Sequence, residues 1–158
     1  SGKKSAEGKF VNEKKDSIWN FYNESEQIIS TESYSNGVKN GISIIYFPDG
    51  KVSEELNWSD GFRDGLWKQY FQNGNVKLTA TYKKGKLNGT LRQFYLSGGL
   101  KYYGEYVNSK KHGNWMRMKE DGKPAKKDVY NNGTITNTIY YDKTFETKDK
   151  ELEEKIKE

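Results

Sequence analysis

One histidine and a few scattered carboxylates are the side chains in this chain with the strongest potential for acid–base chemistry. His112 stands next to Gly113 in a Lys-Lys-His-Gly-Asn run, a context typical of an exposed turn residue. Two carboxylates that met across neighbouring strands would allow a two-carboxylate hydrolase, and this alternative stays open although the spacing does not favour it. The carboxylates concerned are Glu54, Glu55, Asp60 and Asp64.

The chain contains no cysteine, which excludes disulfides, thiolate zinc sites and cysteine nucleophiles. It also contains no metalloprotease, nucleophile-elbow, Walker or dinucleotide-binding motif. Turn acids such as Asp49 and Asp121 lack the alternating ligand spacing of a calcium loop. We therefore predict a protein that is not an enzyme, with no catalytic residue, no metal site and no cofactor.

The apolar material is concentrated in aromatic rings. Of the 158 residues only 32% are apolar and 31% are charged, yet 15% are aromatic, with 12 Tyr, 7 Phe and 4 Trp. An aromatic ring covers a large area, and the hydroxyl of a tyrosine stays in water, so this composition favours a half-exposed β-sheet. No apolar run approaches the roughly 18 residues of a membrane-spanning helix.

Glycines and aromatic residues recur at one fixed spacing along the chain, which predicts a stack of identical small units. The glycine column comprises Gly41, Gly65, Gly89 and Gly113, which are each 24 residues apart (65−41, 89−65 and 113−89), and this spacing is the period of the repeat. One aromatic column comprises Tyr34, Trp58, Tyr82, Tyr106 and Tyr130, and another comprises Tyr22, Tyr46, Tyr70 and Phe94. Trp19, Trp67 and Trp115 share a further column with Ser43 and Leu91.

Each unit has the pattern of a β-hairpin. Residues 42–47 and 52–58 are β-rich, with Pro48-Asp49-Gly50 between them and Asp60-Gly61 after them. Two strands of about six residues and two short turns fill the period. We therefore predict an all-β fold, a single-layer curved antiparallel meander of about five hairpin repeats, with a short C-terminal helix.

Alternation along the strands predicts two unequal faces. Val76, Leu78, Ala80 and Tyr82 share one side of their strand. In the preceding strand Leu66 and Tyr70 lie on one side, and Trp67 and Phe71 lie on the other. The expectation is that aromatic rings stack down one face, whereas a sparser and less buried aromatic stripe follows the other.

Three segments divide the chain. Residues 1–16 are basic, and Phe10 falls in the register of an aromatic column, which allows a degraded first strand there. Residues 17–142 hold the repeats. Residues 143–158 carry Leu152 and Ile156 four positions apart among alternating charges, which predicts an amphipathic helix that caps the sheet by covering its last strand edge.

The segment from Gly65 to Gly89 has the pattern GxWxxYFxNGxVxxxxxYxxGxxxG, which resembles the bacterial variant of the MORN repeat, found in proteins similar to YwqK-type antitoxins. The resemblance covers residues 17–137, and Glu26, Ser109 and Pro124 depart from its columns. It implies stacked hairpins and a non-enzymatic role in protein or membrane contact. It also implies a bacterial protein, and an extracytoplasmic or cell-surface location is favoured over a cytoplasmic one.

Lysines and arginines cluster in the turns that join one repeat to the next, and the net charge is +5. A basic row of this kind would dock an acidic protein, anionic lipid or nucleic acid, or would only solubilise the turns.

We predict a protein partner bound by aromatic anchors and steered by lysines, with membrane-surface or cell-surface attachment through anionic lipid as the alternative. Nucleic acid is disfavoured because the repeat itself needs the aromatic columns. The oligomeric state stays open. The predicted contact residues are Trp67, Phe71, Tyr95, Trp115, Lys83, Lys84, Lys86, Lys110 and Lys111.

Overall fold

The computed structural model describes residues 2–157, and it describes the side chains of residues 2–150. Thirteen strands form one open antiparallel sheet in chain order, with the short β8 paired beside β9 on β7, and a helix follows. The prediction of an all-β hairpin meander with a C-terminal helix is confirmed. The elements are β1 (Ala6–Val11), β2 (Lys14–Tyr22), β3 (Ile28–Ser35), β4 (Val38–Tyr46), β5 (Val52–Ser59), β6 (Phe62–Tyr70), β7 (Val76–Lys83), β8 (Lys86–Leu87), β9 (Gly89–Phe94), β10 (Leu100–Val107), β11 (Lys110–Met118), β12 (Pro124–Asn131), β13 (Thr134–Tyr140) and α1 (Lys143–Lys157).

Two-residue turns join each repeat to the next. In the turn between β5 and β6, Asp60 and Gly61 have φ angles of 49° and 80°, the double positive φ of a type I′ hairpin turn. The amide of Gly61 donates a hydrogen bond of 2.9 Å to the carbonyl of Lys39, which lies in the preceding hairpin. Equivalent hydrogen bonds run from the amide of Gly85 to the carbonyl of Arg63 and from the amide of Gly133 to the carbonyl of Lys111. They connect successive turns along the side of the sheet where these strands end, which we call the turn edge.

Three of the column glycines, Gly41, Gly65 and Gly113, lie inside strands, and Gly89 is the first residue of β9. Gly41 and Gly65 have φ angles of 106° and 101° at points where the strand register shifts, between β3 and β4 and between β5 and β6. A glycine with positive φ in a strand interior marks a β-bulge. Because the strands continue through these bulges, β4 and β6 have 9 residues each, not the predicted six.

The two faces of the sheet differ in burial. The inner face holds the buried side chains Trp19, Leu56, Leu78, Ala80, Leu91 and Trp115. Leu78 and Ala80 are buried and Tyr82 lies 5.8 Å from Trp67 between ring centroids, as the alternation of β7 predicts. The opposite, outer face carries exposed side chains such as Ile42 and Leu66. The core of this single-layer sheet is therefore one face of the repeat.

Helix α1 packs on the end of the sheet. Asp142 caps its N-terminus, because the carboxylate accepts hydrogen bonds from the amides of Thr144 and Phe145 at 2.9 and 3.2 Å. Phe145 lies under the guanidinium of Arg117 in β11. These contacts join the start of the helix to β11, and the helix also contacts β12 and β13. The predicted apolar pair Leu152 and Ile156 lies outside the residues whose side chains are described.

Candidate functional site

Aromatic rings on the inner face enclose the ammonium group of Lys111. Its Nζ lies 5.2, 4.7 and 4.9 Å from the ring centroids of Tyr102, Trp115 and Tyr130 and donates a hydrogen bond of 2.8 Å to the Tyr102 hydroxyl. Burial raises the pKa of Tyr102 and of Tyr130, which keeps both hydroxyls neutral. Lys111 is therefore part of the core packing through cation–π contacts.

In other repeats too, the residue at the position of Lys111 is a cation that lies over aromatic rings. Lys15 lies over Trp19, and Lys39 lies over Trp58 at 4.8 Å while it forms an ion pair of 2.8 Å with Glu32. Although burial opposes it, hydrogen bonds from Lys39 and Tyr34 hold the pKa of Glu32 below its usual value. Arg63 lies over Trp58 and Tyr82. The predicted basic row is thus divided, because Lys39, Arg63 and Lys111 turn to the inner face and do not line the edge.

Two of the predicted aromatic anchors belong to the core. Trp115 is only 1% exposed, and its Nε1 donates a hydrogen bond of 3.1 Å to the carbonyl of Glu105. Trp67 packs against the same core cluster, and its Nε1 donates to the carboxylate of Glu54 at 2.6 Å. Trp115 therefore has almost no surface to offer a partner, and Trp67 belongs to the packed inner face, not to a less buried stripe.

The other two predicted anchors lie in the loops within repeats. The hydroxyl of Tyr95 donates to the carbonyl of Met118 at 2.7 Å, and the ammonium of Lys101 lies over its ring. Phe71 closes the loop of its own repeat and lies 5.9 Å from the ammonium of Lys77. These loops are at the other ends of the strands from the type I′ turns, so the structure does not bring Phe71 and Tyr95 together with the predicted lysines.

Three predicted lysines do meet. Lys83, Lys84 and Lys86 line one shallow depression of about 320 Å³ at the turn edge, together with Asn88 and Asn108. Lys110 stands one repeat further along the edge, in the same column of the period as Lys86. Within the part of the chain that the structure describes, no carboxylate pairs with these four ammonium groups. They are available to an external anion.

An apolar patch on the outer face was missed at the sequence level. Val38, Ile42, Phe62 and Leu66 are all exposed, Phe62 by 59%. Val38 and Phe62 lie against the turn glycine of the next repeat, since Val38 Cγ1 would be 3.1 Å from a Cβ built on Gly61. We call these four residues the outer patch. Its signal was the recurrence of apolar residues in two columns, 38 with 62 and 42 with 66.

The outer patch and the lysines occupy equivalent places in successive repeats. Val38, Phe62, Lys86 and Lys110 share one column of the period, and Ile42, Leu66 and Thr90 share another. From Val38 to Lys110 the first column therefore changes from apolar to basic, and from Ile42 to Thr90 the second changes from apolar to polar.

A comparison with protein families identifies these units. The family model described as MORN repeat variant matches residues 39–60, 63–84 and 87–108. These three segments are similar to that repeat, and together they make up less than half of the chain. Their starting positions are evenly spaced at the predicted period. Each segment begins directly after a residue of the column that contains Val38, Phe62 and Lys86.

Solved structures show a more distant likeness. One is a mutant of S. aureus TarM in complex with fondaparinux, alpha-GlcNAc-glycerol and UDP, at 18% identity and a TM-score of 0.41 over 60% of this chain. Another is TarM, at 17% identity and a TM-score of 0.41 over 64% of this chain. The present chain spans 19% and 20% of their lengths. No curated protein matches the chain.

Among the described residues, no three histidines or carboxylates are grouped as a metal site would require. No described helix is both long enough and apolar enough to cross a membrane. His112 is exposed on the outer face, next to Glu105 across the strands.

Proposed function

We propose that this chain is a non-enzymatic repeat scaffold that binds a protein partner through the outer patch and the lysines beside it. The observation that carries the proposal is the exposure of four large apolar side chains in adjacent repeats. An exposed cluster of this kind on a hydrophilic chain is typical of an interaction surface. An antitoxin that captures a toxin would be one instance of such a scaffold.

The outer patch supplies the affinity in this proposal. Strands lie about 4.8 Å apart, so equivalent residues of successive repeats are separated by roughly 10 Å. Phe62 and Leu66 would then lie beside Val38 and Ile42 in one continuous apolar area. Burying a side chain of this size contributes about 1.5 to 3 kcal/mol, which makes Phe62 the strongest anchor of the set.

The lysines indicate the charge of the partner. Lys83, Lys84 and Lys86 follow the outer patch directly along the stack, and their ammonium groups form no ion pair within the described part of the chain. A partner segment with apolar side chains followed by carboxylates matches this order. Such charges mainly raise the rate of association and fix the register, and their effect weakens as salt is added.

A peptide-display selection with the purified chain as bait tests the proposal. The matched variant is Phe62→Lys with Leu66→Thr, because Lys86 and Thr90 occupy the same two positions one repeat later. This variant should fold, since its residues are native to the repeat. We expect acidic peptides with apolar residues to be enriched by the wild type and to bind the variant at least about tenfold more weakly.

A control variant, Leu96→Ser, removes an equally exposed side chain from a loop within a repeat and should leave binding unchanged. Selected peptides that bind the Phe62→Lys, Leu66→Thr variant as tightly as the wild type would contradict the proposal. Selection of peptides without carboxylates would contradict its electrostatic part.

Attachment to an anionic membrane surface is the second candidate, favoured by the exposure of Phe62 next to Lys86 at one edge. A basic residue near an anionic surface contributes on the order of 1 kcal/mol, and an inserted ring adds to it. Flotation with phosphatidylserine-containing vesicles, compared with phosphatidylcholine vesicles, tests this candidate. Equal recovery with both lipids would eliminate it.

A further inference from the structure

The outer face of β9, β10 and β11 contains a polar depression that begins one repeat after the outer patch. Its volume is about 390 Å³, and the backbones of Gly104 and Gly113 form part of its lining. The side chains around it are those of Thr90, Arg92, Tyr103, Glu105, His112 and Asn114.

The depression exists because the repeat pattern changes at this bulge. A Cβ built on Gly41 would be 3.0 Å from Ser33, and one on Gly65 would be 3.2 Å from Asn57, so a short side chain lies close to each of these glycines. At Gly113 no atom lies within 4 Å of such a Cβ. The residue in the column of Ser33 and Asn57 is here Glu105.

The strand register at the Gly113 bulge differs from that at the Gly65 bulge. Asn57 has no Cα partner in β6, because the residue before it pairs with Trp67 and the residue after it pairs with Arg63. Glu105 instead pairs directly with His112, and Gly113 adopts a φ of 66°, unlike the 101° of Gly65. Glu105 therefore lies opposite His112 across the two strands, and the space around a Cβ on Gly113 is open.

The polar groups around the depression have no partners among the described residues. Neither the Arg92 guanidinium, nor the Tyr103 hydroxyl, nor the Glu105 carboxylate forms a hydrogen bond or an ion pair there, and the same holds for the His112 ring. They comprise donors, acceptors and groups that can act as either. The arrangement thus offers several hydrogen bonds to one external molecule.

We propose that this depression binds a saccharide. Arg92 and Glu105 balance each other in charge, which favours a neutral ligand over an anion or a cation. Hydroxyl groups both donate and accept, so one sugar ring can satisfy the Arg92, Glu105 and Asn114 side chains together. The half-exposed ring of Tyr103 supplies an apolar surface for the C–H face of the sugar. The open shape admits one or two units of a longer glycan.

Amide chemical-shift mapping with four disaccharides, maltose, cellobiose, lactose and N,N′-diacetylchitobiose, tests the proposal on the full chain. We expect at least one of them to shift the amides of β9 to β11 around Gly104 and Gly113. Glu105→Thr copies Thr81 of the preceding repeat and should cover the bulge, and it should weaken binding at least about tenfold.

The matched control is Glu55→Thr, which also removes an outer-face glutamate and copies Thr31 and Thr79 of its own column. It should bind like the wild type. The proposal is overturned if none of the four sugars shifts these amides, or if Glu105→Thr binds as the wild type does. It is also overturned if glycylglycine shifts the same amides at lower concentration than any sugar, since the site would then select a zwitterion.

Discussion

Replacement of Gly104 by alanine should destabilise the sheet through a steric clash with one tryptophan. A Cβ built on Gly104 would lie 2.2 Å from Cδ2 and 2.6 Å from Cγ of Trp115, whereas ordinary contacts are 3.4 to 4 Å. Gly104 does not have a positive φ in the structure, so the substitution tests packing and not backbone conformation.

The ring of Trp115 has little room to yield. The rings of Tyr102 and Tyr106 each lie 5.0 Å from it between centroids, Lys111 covers it at 4.7 Å, and its Nε1 is bound to Glu105. Overpacking of this kind costs about 1 to 3 kcal/mol, and a displaced ring would also lose a hydrogen bond with a net value of about 1 kcal/mol. We expect Gly104→Ala to lower the free energy of unfolding by about 3 kcal/mol.

The repeat provides a compensating change. Ala80 and Leu91 occupy the same two columns one repeat earlier, and both are buried there. In a Trp115→Leu background, Gly104→Ala recreates this pair and should cost less than about 1 kcal/mol. The expected coupling free energy of the double-mutant cycle is therefore about 2 kcal/mol.

Urea unfolding followed by circular dichroism measures all four proteins of the cycle, with comparison of the slopes to check that the transition is preserved. Gly99→Ala is the control, because the nearest atoms to its Cβ are 3.9 to 4.0 Å away. It should change stability by less than about 1 kcal/mol. An equal cost of Gly104→Ala in both backgrounds would refute the steric explanation.

Two further predictions concern charged groups on the inner face. Lys111→Met should lower the free energy of unfolding by about 1 to 2 kcal/mol in urea while Lys111→Arg costs less, since three rings lose their cation only in the first variant; equal costs would contradict the cation–π role. Asp149 in α1 contacts the Lys126 ammonium and the Tyr140 hydroxyl, at 3.0 Å for the hydroxyl. Although burial opposes it, these two hydrogen bonds hold the pKa of Asp149 below its usual value. A carboxylate whose pKa is lowered by folding stabilises the folded protein at pH values above its pKa in the unfolded chain, about 3.9. That stabilisation is lost as the pH falls through the pKa in the folded protein. Contact between α1 and the sheet should therefore weaken below about pH 4. Nuclear magnetic resonance of Tyr140 should report this loss, and Asp149→Asn should remove the pH dependence; an unchanged titration in that variant would contradict the assignment.

Local signals in the sequence were sufficient for the architecture. The type I′ turns follow from pairs such as Asp60-Gly61, whose residues tolerate positive φ at low cost. Burial along β7 follows from alternation, because Leu78 and Ala80 are on the same side of a strand with no bulge between them. The helix follows from the change in pattern after Asp142. These features depend on neighbours in the chain.

The candidate site depended on neighbours in space, and the sequence predicted it less well. Lys110 and Lys111 are adjacent and look alike in the sequence, yet one is exposed at the turn edge and the other is enclosed by rings. The difference arises because successive strand residues point to opposite faces, and only the paired strands place Tyr102 and Tyr130 around the second lysine. Trp115 is buried for the same reason.

The sequence by itself determined the period, the turns and the hairpins, since the period is a recurrence along the chain and each turn or hairpin needs only residues close together in the chain. The tertiary structure decided which aromatic rings are buried, which lysines are exposed and where the column glycines lie. Pairing between neighbouring strands, within a hairpin and between successive hairpins, fixes these properties. Glycine at position 65 is required because a bulge there has positive φ and meets Asn57 of the neighbouring strand, a contact that no single unit contains.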